Sequence, residues 1–210
     1  MKLLSIFCML FLFSFSMPHC FSQPIQYYSL EYSTGSLLGA SKKFINNYSW
    51  RGGQFNGQIF LIENVALGFK IGFNNYNSGV EPQVYNFGNG YRMYATTYRY
   101  VRKTPFQLGV VGHILPHSLM QPYLGLYLGL CYASESIMIQ EFQYRTENYG
   151  FILTPELGFF LKFGKNSPAG LKLSAAYNLA TNHYKLEMAE FKDLQSMNVN
   201  IGLTYMVTRR

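Results

Sequence analysis

The sequence predicts an all-β fold: an eight-stranded, antiparallel, up-and-down transmembrane β-barrel. Hydrophobicity alternates with a period of two over most of the chain beyond residue 26, the mark of strands with two unlike faces. Tyr and Phe, 18 of each, accompany 19 Gly in 210 residues. Aromatics form strands readily and Gly is depleted in ordinary ones, so the mixture points to strands that must stay small on one side. Short and long connections also alternate along the chain, as membrane barrels require.

Residues 1–22 read as a signal peptide ahead of a barrel domain over 23–210. Lys2 supplies a positive start, and Leu3 to Met17 is almost wholly apolar before Pro18, His19 and Ser22 intrude. That core is a secretory segment, short for a spanning helix. Cys20-Phe21-Ser22 offers small residues for cleavage before Gln23. Lipidation at Cys20 is the alternative, but the bulky His19 stands where a lipidation site wants a small residue. Beyond residue 22 no run of about 18 apolar residues follows, so no spanning helix is expected. Only Cys131 remains after cleavage. It cannot close an internal disulfide and reads as a small wall residue.

The strands follow in order. Tyr28 to Thr34 and Gln54 to Ile62 alternate weakly. Val65 to Asn74 sets Val65, Leu67, Phe69, Ile71 and Phe73 against Ala66, Gly68, Lys70, Gly72 and Asn74. Tyr123 to Cys131 sets four leucines (Leu124, Leu126, Leu128, Leu130) against Tyr123, Gly125, Tyr127, Gly129 and Cys131. Phe151 to Phe163, Leu171 to Leu179 and Met197 to Val207 repeat the pattern. Tyr91 to Leu115 is too long for one crossing of about ten residues. A turn at Arg102 to Pro105 would give nine strands, so an even count predicts one strand with a bulge at the proline. Short connections fall at Glu63-Asn64, Pro116 to Gln121 and Gly164 to Pro168. Long loops are expected at 38–50, 77–90, 133–148 and 182–194, with both termini periplasmic.

The small, polar set would be odd on a water-facing surface, so the large apolar set is assigned to lipid and the small set to the lumen. Tyr27, Tyr28, Tyr76, Tyr91, Tyr94, Tyr149 and Tyr205 are expected in interfacial girdles. The same assignment points Glu31, Lys70, Glu156 and Lys172 inward. Opposite charges in a narrow lumen should pair, because a lone buried charge is costly.

Five motifs in order carry a family likeness: Trp50-Arg51-Gly52-Gly53, Asn64 to Phe73, Gln121 to Gly129, Pro155-Glu156-Leu157-Gly158, and Asn200 to Tyr205. On these the chain resembles the OmpA/OmpW-like family of small outer-membrane barrels, over Gln26 to Val207. The resemblance implies fold and an outer-membrane location reached through a cleaved signal peptide, but no single activity. It also implies an assembly signal in the last strand, with Asn200, Gly202, Tyr205 and Val207 matching the pattern read by the barrel-assembly machinery. The chain departs from the usual aromatic terminus by continuing Thr208-Arg209-Arg210.

Signals for chemistry are sparse. The net charge of +7 is dispersed, without the basic stripe that nucleic acid demands. No metal-ligand spacing and no phosphate loop occur, and no cofactor is expected. His117-Ser118 invites comparison with lipid-active outer-membrane enzymes, but a turn beside Pro116 accounts for it. The expectation is a non-enzymatic barrel with a structural or surface-interaction role through long extracellular loops, and an unidentified ligand outside. Outer-membrane lipid and lipopolysaccharide would be its neighbours. The alternatives are a narrow porin-like channel for small solutes, a lipid-modifying enzyme, and an exported lipocalin-like carrier.

Overall fold

The computed structural model describes residues 26–86, 92–116, 118–139, 142–164, 167–186 and 189–207. The segment expected to be a signal peptide, Tyr91 and His117 lie outside the described residues. Eight strands form one closed antiparallel barrel in sequence order, β8 closing onto β1. They are β1 (Gln26–Leu38), β2 (Arg51–Ile62), β3 (Val65–Asn86), β4 (Arg92–His113), β5 (Met120–Ile139), β6 (Phe142–Lys162), β7 (Ala169–Leu186) and β8 (Ala189–Val207). A short 3-10 helix, Gly39–Lys43, follows β1.

Alternation builds the wall as the sequence implies. Leu124, Leu126, Leu128 and Leu130 are all more than half exposed on the outside of β5, while Tyr123, Tyr127 and Cys131 are buried inside it. Across strands the outward residues align by register: Phe55, Ile71, Phe106, Leu130 and Phe151 form one lateral row. An unbroken belt of exposed apolar side chains suits hydrocarbon and would be an aggregation hazard in water.

Several expectations need correction. Most of the predicted long loops are strand. β3 and β4 each run 22 residues, about twice what a membrane crossing takes. The barrel therefore stands well beyond its apolar belt at the long-hairpin end. Asn182 and Ser78 both sit inside strands, and Asn182 is fully buried. Pro105 causes no bulge. β4 pairs with β3 at Ile71↔Phe106 and Asn74↔Lys103 in one register, omitting only the intervening positions, because proline has no N–H to give. The register shift lies between Val80 and Gln83 instead. Tyr27 and Tyr76, assigned to girdles, point inward and are buried.

Above the belt the ring is not continuous. The β6–β7 ladder ends at Ile152↔Ala180. Beyond it, side chains bridge the strands: the Phe151 N–H donates to Thr181 Oγ1 at 3.0 Å, and Asn182 Nδ2 donates to Asn148 Oδ1 at 2.5 Å. The β1–β2 ladder likewise ends at Tyr32↔Gly53, leaving a single bridge at Gly35↔Ser49.

Candidate functional site in the barrel lumen

The interior is layered. At the short-turn end Tyr27, Phe60, Tyr123, Tyr127, Phe160 and Met206 form one apolar cluster. Tyr27 meets Phe160 edge-on with centroids 5.3 Å apart, and Tyr123 lies 4.9 Å from Phe160. Such ring pairs add about 0.5–1.5 kcal/mol each to their burial. The wall glycines make room for them. A Cβ at Gly68 or Gly125 would stand 2.8 Å from the Tyr127 ring. At the long-hairpin end a second cluster includes Leu37, Phe44, Ile45, Tyr76 and Leu194.

Between the clusters lie the four charged residues singled out in the sequence. Glu31 on β1, Lys70 on β3, Glu156 on β6 and Lys172 on β7 are all buried. Lys172 Nζ stands 2.7 Å from Glu31 Oε1 and 3.4 Å from Glu156 Oε1. Lys70 Nζ pairs with Glu156 Oε2 and lies 3.9 Å from the Tyr127 ring centroid. The remaining lone pairs are served by neighbours: Tyr123 OH donates to Glu156 Oε1 at 2.7 Å, and Gln54 Nε2 donates to Glu31 Oε2 at 2.8 Å. Two cations face two anions, so the layer is neutral as well as hydrogen-bonded. Those are the conditions under which buried charges are tolerated.

A second polar layer, which sequence reasoning missed, lies above it. Lys103 Nζ donates to Ser196 Oγ at 2.6 Å, and Ser196 donates to Asn198 Oδ1 at 3.1 Å. Asn198 also accepts from Asn178 at 2.9 Å and donates to Ser33 at 3.2 Å. Lys103 was hidden by its place in the segment read as an interruption. Period two carried through Pro105 would have pointed it inward.

Higher still, Glu135 is fully buried and neither carboxylate oxygen has a hydrogen-bond partner. Burial pushes its carboxyl up to about 8.

The other sequence-nominated residues fall as follows. Asn200 is buried and donates to Ser174 Oγ at 3.0 Å. Gly202 pairs with both Glu31 and Lys172, so it lies between the partners of the central ion pair. Tyr205 is exposed on the outer wall, and Val207 ends β8 opposite Gln26. Ser118 donates its hydroxyl to the carbonyls of Leu115 and Met120, which commits it to the turn. His113 is buried with Nε2 at 3.0 Å from Gln58 Oε1, while His183 lies on β7. Among the described residues no three metal-ligating side chains gather.

No family model matches the chain, and no curated protein matches it. Solved structures do. The attachment invasion locus protein Ail of Yersinia pestis, solved in complex with the heparin analogue sucrose octasulfate, aligns with a TM-score of 0.53. The match has 14% identity and covers 88% of this chain and 99% of that one. A major outer membrane protein from Thermus thermophilus aligns equally well, at 0.53 and 11% identity, over 87% of this chain and 99% of the other. The outer membrane protease OmpT from Escherichia coli follows at 0.50 and 10%, over 89% and 97%. The fold is that of the outer-membrane β-barrels. At these identities the likeness speaks for architecture and leaves the activity open.

Proposed function

We propose that this chain is a non-enzymatic structural protein of a Gram-negative outer membrane, made with a cleaved signal peptide over residues 1–22. On this reading it is an OmpA/OmpW-like barrel inserted by the barrel-assembly machinery, with its short turns in the periplasm. Its tall hairpins rise into the medium as the surface available to outside partners. The observation that carries the reading is the lumen, where a neutral, cross-linked charge layer lies between two apolar clusters that include Tyr127, Phe160, Leu37 and Ile45. Eight strands leave an interior just wide enough for side chains, and these side chains occupy it. A barrel so filled serves as an anchor and scaffold rather than as a conduit.

The test combines cell fractionation with planar-bilayer recording on the refolded full chain. The expected result is recovery in the outer-membrane fraction and no sustained conductance steps. Stable steps from purified protein would favour the narrow channel, and recovery in the soluble periplasmic fraction would favour the exported carrier.

A further inference from the structure

We propose that an arginine-lined groove on the outer wall binds the phosphate groups of a phosphorylated glycolipid in the surrounding leaflet. This rests on the outer-membrane reading above and assigns that membrane's lipid a site. The groove has a volume of about 320 Å³ and is lined by Arg51, Asn75, Tyr100, Arg102, Ser134 and Arg145, among others. Register explains why five strands build it together. Arg51 pairs with Asn75, Asn75 with Arg102, Arg102 with Ser134, and Ser134 with Glu147, so one lateral row crosses the wall from β2 to β6. Arg145 joins from the next row, opposite Ser136.

Depth follows from the same ladders. On β2 and β4 each arginine comes four residues beyond a belt residue, Phe55 or Phe106, on the same face. That is about 13 Å along a strand and less along the barrel axis, because barrel strands tilt. Tyr132 and Tyr149, paired with each other, stand between the belt and the groove. The groove is therefore at the level of lipid headgroups.

Its charge is positive. Three guanidinium groups face one carboxylate, Glu147, which pairs with Arg145 at 2.7 Å where both side chains are about half exposed. Side-chain acceptors hold two of the forks across the groove. Arg102 Nε donates to Asn75 Oδ1 at 3.1 Å, and Arg145 Nε donates to Ser134 Oγ at 3.1 Å. A planar fork held in place matches a phosphate bidentately, which a mobile point charge does not.

A second feature decides between a lipid and a soluble polyanion. Below the groove on β5 to β7, Leu128, Leu130, Phe151, Leu153 and Leu179 line an apolar cleft of about 580 Å³ in the belt. An amphiphile would fill both sites at once, phosphate in the groove and acyl chain in the cleft. A soluble polyanion has no use for the cleft.

The test uses the refolded full chain in neutral detergent micelles, with diphosphoryl lipid A and monophosphoryl lipid A as probes and binding read by native mass spectrometry. Diphosphoryl lipid A should bind more tightly than the monophosphoryl form. Arg51→Gln, Arg102→Gln and Arg145→Gln should each weaken it about tenfold, the loss expected for one charge-assisted hydrogen bond to phosphate. Arg102→Lys, which keeps the charge and loses the fork, should fall in between. Lys42→Gln with Lys43→Gln, on exposed residues of the 3-10 helix, should change nothing, and heat-modifiable gel migration should stay normal throughout. Equal binding of the two lipids, or equal weakening by the lysine pair, overturns the site. Heparin or inorganic phosphate displacing nothing supports it. Heparin binding at the arginines while lipid A ignores them would reassign the groove to a soluble polyanion. Because binding is read in micelles, failure here is separate from failure of the outer-membrane location, which fractionation reads.

Discussion

Lys172 and Glu31 are 141 residues apart in sequence and 2.7 Å apart in the lumen, with neither side chain exposed. They meet across β8, the strand that closes the ring onto β1. The ion pair therefore spans the strand at which the ring closes.

The first prediction separates the partners of Glu156, which parity alone could not do. Lys70 makes its ion pair with Glu156, whereas Lys172 shares itself between Glu156 and Glu31. Glu156→Gln should destabilise the refolded barrel in urea by about 3–5 kcal/mol, since it strands a buried cation. Adding Lys70→Met should restore most of that loss, because the Lys172–Glu31 pair stays intact. Adding Lys172→Met should not, because it leaves Lys70 and Glu31 without their direct ion-pair partners. Simple additivity in both doubles would mean that the four residues are uncoupled.

The second prediction concerns pH. The Glu135 carboxyl is held up at about 8 in the folded chain by burial, whereas an unfolded glutamate titrates near about 4.3. Between those values the folded state binds more protons than the unfolded one, so stability from this group falls as pH rises. Glu135→Gln removes the titration. The variant should gain on the natural chain by up to about 1.4 kcal/mol per pH unit between pH 5 and 8, with no further gain above. Parallel urea midpoints for the two proteins across that window would refute it.

The third prediction distinguishes packing from recognition in the last strand. A Cβ on Gly202 would collide with the Leu30 carbonyl and stand 2.6 Å from the Glu31 Cγ. Gly202→Ala should therefore lose about 1–3 kcal/mol, the usual cost of overpacking, even when refolded in detergent without any assembly machinery. Tyr205→Asp disturbs no lumen contact but places a charge on the outer wall. That costs about 2–4 kcal/mol at mid-membrane and less near an interface. It should refold in detergent yet insert poorly in cells. If Gly202→Ala refolds with unchanged stability and fails only in cells, Gly202 belongs to the recognition signal alone.

Much of the fold could be read from period two. Within the belt, Leu and Phe face outward and Gly, Lys and Asn inward, so the contrast between faces is large. Beyond the belt the contrast fades, because Arg51, Asn75, Arg102 and Ser134 make the outer face polar while Tyr76 and Val101 make the inner face apolar. The pattern inverts there, and a reader expecting lipid outside sees a loop. The inward charges were legible because parity needs no knowledge of partners. Their pairing was not, since which inward residues meet depends on the stagger between strands. Tyr27 and Tyr76 were misread for a related reason: an aromatic near a strand end suits a girdle and a lumen plug alike, and only its parity decides.

The interrupted ladders at β6–β7 and β1–β2 divide the part beyond the belt into two blades, β2 to β6 and β7 to β1. Inside the belt every strand is bound on both edges, and one extra residue would shift the stagger of the whole ring. The blades carry no such closure condition. Hairpins there can lengthen two residues at a time, preserving which face each side chain presents, while the ring below keeps its geometry. Changes in hairpin length beyond the belt therefore leave the ring that carries the apolar belt untouched, and the two seams mark where that freedom begins.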